Sequence, residues 1–192
     1  MKSSLIPMRP PGNLRDGLQA FIATLPDHIT MAEIGCYAGE STSLFLLKAD
    51  RIFCVDIWQP YTDPSPERSH GIQIPRLDEQ VFDAFHNTHA EHIVKIKLSS
   101  GAAALLFAPA SLDLVYLDAN HYEPHVRADI AAWRTKIKQH GLLAFHDYGH
   151  SEFPGVKNAV DSVLGTPHAT YIDGTCAFRM AEHGTIQRTG TR

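Results

Sequence analysis

Three cysteines in 192 residues, at positions 36, 54 and 176, are too few and too scattered for a disulfide framework, and no Cys-x-x-Cys pair occurs. Their neighbours are apolar, so they read as reduced core residues of a cytoplasmic protein. Positive charge is also short. The formal net charge is −4 with no Lys/Arg run, which removes the non-specific attraction to phosphate backbones on which nucleic-acid binders rely. No uninterrupted stretch of about 18 apolar residues is present, so no membrane span is expected. Residues 1–12 lack the apolar centre of a secretion signal. Internal repeats and low-complexity tracts are missing too. What the chain does have is enough length for one domain, 1–192, whose core needs no covalent staple. It also has 12 histidines, whose abundance by itself does not choose between metal binding, proton transfer and neither.

Segments of helical period alternate with short runs rich in Val, Ile, Leu and Phe, the pattern of β-α units around a buried, mostly parallel sheet. Strands are predicted at 29–34, 51–57, 92–98, 112–117 and 142–145. Helices are predicted at 14–25, 41–47, 77–90, 102–106, 123–139 and 156–164. A terminal hairpin pairs 169–172 with 176–180. The helix at 123–139 has Pro124 in its first turn, Val126, Ile130, Trp133 and Ile137 on one apolar face, and a stop at Gly141. The tract 58–76, which holds Trp58, Tyr61 and several prolines, cannot be regular structure and reads as a substrate lid. His86, His89 and His92 read as a solvated face, His125 and His150 as rim residues, and Trp133 as core.

The first strand runs into AEIGCYAGEST, a strand-turn-helix with glycines at 35 and 39. Open α/β sheets bind ligands at the carboxyl ends of their strands, which makes this turn the default site. Its spacing is neither Gly-x-Gly-x-x-Gly nor a triphosphate-binding Gly-Lys-Ser/Thr, so a pyrophosphate ligand is disfavoured. The turn resembles the first motif of the class I S-adenosylmethionine-dependent methyltransferases: an acidic residue, a glycine, three residues and a second glycine, matched by Glu33, Gly35 and Gly39. That resemblance implies that Glu33 accepts from the ligand's ammonium, Gly35 lets backbone approach the ligand, and the amides from Gly39 to Thr42 meet a carboxylate, with Tyr37 and Ser41 alongside. It further implies that Asp56, at the end of the second strand, binds the ribose hydroxyls beside Ile57. Ser99 or Ser100, after the third strand, would contact adenine.

The fourth strand ends in LDANHYEPHVRADIAAW and the fifth in GLLAFHDYGH. These features resemble the small-molecule O-methyltransferase branch of that class, which includes the macrocin O-methyltransferase group, over residues from about 30 to 180. The resemblance implies a Rossmann-like doubly wound sheet of seven strands, mostly parallel, closed by a C-terminal antiparallel hairpin. Asp118, His121, His146 and Asp147 should then converge near the transferable methyl. In metal-dependent members, Asp118, His146 and Asp147 occupy the positions of the ligands. His146 stands where the macrocin-type enzymes carry aspartate, and imidazole suits magnesium poorly, so the ion is softer (manganese, iron, zinc or nickel) or no metal is needed. Without metal, His121 or His146 acts as general base, with Asp118 or Asp147 fixing its tautomer. The implied reaction is methylation of a small-molecule hydroxyl. The D/N-P-P-aromatic sequence of amino-group methylases is missing, the chain reading DANH at that place. Two other readings stay open: an oxygenase with a two-histidine, one-carboxylate iron site, and a non-catalytic cofactor-binding module. A homodimer is expected, since the chain lacks the long N-terminal extension that many relatives use to complete the pocket.

Overall fold

The structure is a computed structural model that describes residue 9, residues 11–59 and residues 75–187. Most of the lid expected at 58–76 therefore lies outside the described residues. Seven strands form one sheet: β1 (Ile29–Ile34), β2 (Ala49–Asp56), β3 (Ile93–Lys97), β4 (Leu112–Leu117), β5 (Ile137–Phe145), β6 (Ala169–Thr170) and β7 (Cys176–Arg179). Their order is β3-β2-β1-β4-β5-β7-β6. The first five run parallel, and β7 pairs antiparallel with both β5 and β6. This is the doubly wound sheet expected from the sequence, with its antiparallel terminal hairpin. The chain leaves β1 outward through β2 and β3, then returns to lay β4 on the other side of β1. The crevice between the carboxyl ends of β1 and β4 is thus the topological switch point, where such sheets place their ligands.

Side chains alternate across each strand, and each face buries its own core. Ala32, Ile34, Val115 and Leu117 meet α5 (Glu123–Trp133) and α6 (Pro154–Val163), with Trp133 fully buried between them. Met31, Ile52, Leu114 and Tyr116 meet α1 (Asn13–Ala23), α2 (Glu40–Phe45) and α3 (Pro75–Asn87) through Leu18, Phe21, Phe45 and Phe82. The three cysteines are buried and unpaired. No helix among the described residues is long and apolar enough to cross a membrane.

Most elements depart from their expected bounds by a few residues, as α4 (Ser100–Ala104) and β6 do, and the largest departure falls between α5 and β5. The helix predicted to reach residue 139 stops at Trp133, a single 3-10 turn follows, and β5 begins at Ile137. Ile137 continues the helical stripe in sequence, but in space it pairs with Leu112 of β4, and a long-range ladder outweighs local period.

Candidate cofactor and acceptor site

The glycine turn is built on the closest backbone crossing at the switch point. Gly35 adopts φ +88°, and a Cβ there would fall 2.1 Å from the Asp118 carbonyl oxygen. Its N–H donates to Val55 O, while the Asp118 N–H donates to Ile34 O. The glycine is required by this neighbouring strand end, a different reason from the ligand approach expected. Gly35→Ala should therefore lower stability by about 2–3 kcal/mol, from steric overlap and left-handed strain together. Urea denaturation of the variant checks it, and an unchanged midpoint would refute the crossing as the reason for glycine.

Asp56 closes the turn from the end of β2. Its Oδ2 accepts from the amides of Cys36 at 2.9 Å and Tyr37 at 3.0 Å, and its Oδ1 from the amide of Trp58 at 2.8 Å. The Ile57 amide also donates to this carboxylate. Both oxygens thus already serve the backbone, and any ribose hydroxyl has to share them. Tyr37 and Trp58 take positive φ, and Trp58 Nε1 donates to the Tyr37 carbonyl at 2.8 Å. Trp58 is only 2% exposed, against Phe82 and beneath the Lys95 ammonium. It forms a buried wall behind the turn, which separates this residue from the substrate lid expected at 58–76.

Glu33 is placed differently from its expected role. It is fully buried beneath the turn, where one carboxylate oxygen accepts from Ser41 Oγ and the other from Thr42 Oγ1 at 2.6 Å. An ammonium cannot reach it while the turn is intact, and Ser41 spends its hydroxyl on the same anchor. The Thr42 hydroxyl was missed by sequence reasoning, which named only its amide, because nothing local distinguishes it from the other residues of α2. Burial pushes the Glu33 carboxyl up to about 7 despite both hydroxyl bonds. The folded protein keeps this proton where the unfolded chain, near 4.5, has lost it. Stability should therefore decline by roughly 3 kcal/mol in all as pH rises between those values. Glu33→Gln should lose this slope. Melts of both proteins at pH 4.5 and 7.5 decide it, and equal slopes would contradict the assignment.

Ser100 belongs to the packing of helices. Its Oγ accepts from Trp133 Nε1 at 2.9 Å and donates to Asp129, whose carboxyl burial raises to about 6. Ser99, exposed at the start of α4 (Ser100–Ala104), is the member of the pair outside that packing.

At the other side of the crevice the four expected residues meet. Leu117 and Phe145 pair in register, which puts Asp118 beside His146, and Asp147 follows. His146 Nδ1 lies 3.0 Å from Asp147 Oδ2 and 3.5 Å from Asp118 Oδ1, and its Nε2 is 3.8 Å from Asp173 Oδ2. Burial alone would lower the pKa of His146, but the carboxylates of Asp118 and Asp147 outweigh it and raise it to about 10. Burial would likewise raise Asp118, yet His146 and Arg9 hold it at about 2, and Asp147 is also held low by His121 and His146. His146 is therefore an imidazolium at neutral pH, clamped by carboxylates. Asp147 sits at φ +57°, in the left-handed region that aspartate enters more readily than most residues.

His121 differs. Its Nε2 is 2.9 Å from Asp147 Oδ2 but out of hydrogen-bond alignment, and Nδ1 is sealed from solvent with no partner among the described residues. Phe153 stacks on the ring at 4.1 Å. A small cavity opens beside it, with Asp118, Asn120, Asp129 and His146 as polar lining and Leu117, Val126, Phe145 and Val156 as apolar lining.

Sequence reasoning missed two members of this cluster. Asp173 comes from the turn before β7, where its carboxylate accepts from the Thr175 amide and hydroxyl. Arg9 comes from the Pro-rich start, and its Nη2 donates to Asp118 Oδ2 at 2.6 Å. Neither carries a local signal beyond a turn-forming Asp-Gly and an isolated basic residue.

The metal reading fits only in part. Asp118, His121 and Asp147 present ligand atoms within 4.8 Å of one another, with His121 in place of the expected His146. His146 and Arg9, however, already neutralise those carboxylates, and an imidazolium is no ligand. A divalent ion would have to displace the His146 proton or the Arg9 contact to gain these carboxylates.

The pieces are a glycine turn after β1, an acidic clasp after β2 and an acid-histidine cluster after β4 and β5. A family model described as a methyltransferase domain matches residues 32–148, which spans all of them. The chain belongs to this family, the class I S-adenosylmethionine-dependent methyltransferases. Solved structures share the fold. A putative rRNA methylase from Clostridium thermocellum has a TM-score of 0.60 at 10% identity, the match covering 90% of this chain and 99% of that one. The 1,6-didemethyltoxoflavin N1-methyltransferase of Burkholderia thailandensis, solved with 1,6-didemethyltoxoflavin and S-adenosylhomocysteine, has a TM-score of 0.59 at 12% identity and coverages of 89% and 79%. The YcgJ protein of Bacillus subtilis has a TM-score of 0.51 at 16% identity. That match covers 70% of this methyltransferase but only 51% of YcgJ, so the chain spans about half of that relative's length. No curated protein matches the chain.

Proposed function

We propose that this methyltransferase methylates a hydroxyl of a small molecule, as the resemblance to the macrocin-type branch implies, with His121 as the general base. The observation that carries the reading is the His121 ring, with an unpartnered Nδ1 beside a small, largely apolar cavity and Asp147 on its other side. When bound, the cofactor supplies an electrophilic sulfonium methyl, so the protein has to orient the acceptor oxygen and remove its proton. His146 is already protonated and cannot take that proton. His121 can: Asp147 stabilises the charge that forms on its ring, and Phe153 and the apolar lining exclude water around it. Across the crevice, Asp56 with Tyr37 and Ile57 offers the ribose side of the site, and the exposed Ser99 is the residue offered to adenine.

The similarity to an rRNA methylase raises the question of a nucleic-acid acceptor. The net charge of −4 and the lack of any Lys/Arg run oppose one, since phosphate backbones need the reverse. The test is two measurements on the purified protein. Calorimetry with S-adenosylhomocysteine should show binding that Asp56→Ala weakens, and absence of binding by the parent would sink the proposal. Transfer of labelled methyl to a panel of phenols, sugars and RNA transcripts should favour the hydroxylated small molecules and persist in EDTA. Transfer to RNA alone, or loss of transfer in EDTA, would replace this reading with the nucleic-acid or the metal-dependent one.

A further inference from the structure

Arg9 precedes α1 and is far in sequence from everything it touches. Besides the bond to Asp118, its backbone N–H donates to Glu40 Oε2 at 2.8 Å. Glu40 opens α2 after the glycine turn, and Asp118 ends β4, so the two anchors hold Arg9 across the switch-point crevice. The side chain is 9% exposed, and its Nε is sealed from solvent without an acceptor among the described residues. An unpaired buried N–H on a charged group is unfavourable, and a guanidinium is the side chain whose several fixed donors suit a planar anion. Glu33, beneath the glycine turn, spends its carboxylate on Ser41 and Thr42.

We infer that Arg9 and Asp118 together receive the zwitterionic amino-acid end of the cofactor, with Arg9 taking the α-carboxylate through Nε and Asp118 taking the α-ammonium. The inference rests on the reading of this crevice as the S-adenosylmethionine site, and it moves the ammonium contact from Glu33 to Asp118. Charge balance supports it. The pair carries one positive and one negative charge, and so does the incoming amino-acid end. Docking therefore leaves the buried charge sum unchanged, whereas a ligand with only an amine or only a carboxylate would leave one group of the pair uncompensated. The crevice thereby selects ligands that carry both groups.

The experiment compares two ligands by calorimetry. S-adenosylhomocysteine has the amino-acid end, and 5′-methylthioadenosine has the same nucleoside and sulfur without it. Arg9→Ala should weaken S-adenosylhomocysteine by about 10- to 100-fold, the loss typical of one charge-assisted hydrogen bond, and should leave 5′-methylthioadenosine unchanged; Arg9→Lys should fall between. Retained 5′-methylthioadenosine binding also shows that the variant is folded. Unchanged S-adenosylhomocysteine affinity overturns the inference. Tighter binding by Arg9→Ala overturns it as well, making Arg9 a plug that competes for Asp118. Equal loss of both ligands makes the role structural and overturns it too. A parent protein that binds neither ligand brings down the cofactor reading itself, which is a separate result from any of these.

Discussion

His121→Ala should lower methyl transfer by about 10²- to 10⁴-fold, the usual contribution of a positioned general base, while S-adenosylhomocysteine affinity stays within about twofold. The separation follows from geometry. His121 sits in the loop before α5, against Phe153 and the cavity, whereas the turn residues expected around the cofactor lie across the crevice at the ends of β1 and β2. His146→Ala would also slow transfer, but through a different cause, since its imidazolium holds no site for a proton and acts on the charge of Asp118 and Asp147. Added imidazole distinguishes the two. The cavity left by His121→Ala can admit it as a replacement base, so transfer by that variant should recover in proportion to imidazole concentration. His146→Ala should not recover in the same way. A His121→Ala enzyme with parental turnover would remove His121 from the chemistry. One with weakened S-adenosylhomocysteine binding would make it part of the cofactor site.

Local pattern revealed what depends on local pattern. The bounds of β1 and β4 were legible because each is a short apolar run ending at an acidic or glycine residue, and the βα alternation then implied a parallel sheet whose strand ends gather Asp118, His121, His146 and Asp147. Ile137 shows where that logic stops. It continues the 126, 130, 133 stripe, yet its partner is Leu112, which no window around α5 contains. Asp56 was found by position, but sequence could not show that four backbone amides would claim its oxygens. Glu33 was found in the same way and assigned to a ligand, although Ser41 and Thr42, in the first turn of α2, were nearer donors. Arg9 and Asp173 were invisible for a stronger reason. Each reaches the cluster across the fold, and only the placement of α1 and of the terminal hairpin decides that it does. The cost of burying polar groups is what these long-range partners answer, and that cost is not written in any single segment.

The largest expected loss of stability comes from His146→Ala. His146 stands among Asp118, Asp147 and Asp173, and Arg9 is the other cation on this cluster among the described residues. Breaking a buried pair by removing one partner typically costs about 3–5 kcal/mol, because the charges left behind keep their desolvation penalty. The deficit should depend on pH in a way that simple loss of volume would not. The raised pKa of His146 means that its contribution is full below about 6.5 and fades as pH rises toward 10. The lowered pKa values of Asp118 and Asp147 mean that theirs is full above about 3.8 and fades as pH falls below it. In the variant, the unopposed carboxylates bind protons more readily, so acid relieves them first. The difference between parent and variant should accordingly be greatest near pH 6–7 and shrink toward pH 4 and toward pH 10. Urea denaturation of both proteins across that range measures it. A deficit that stays constant with pH would show that His146 contributes packing alone, and it would also return His146 to the list of candidate bases, since a neutral imidazole at that position could take a proton.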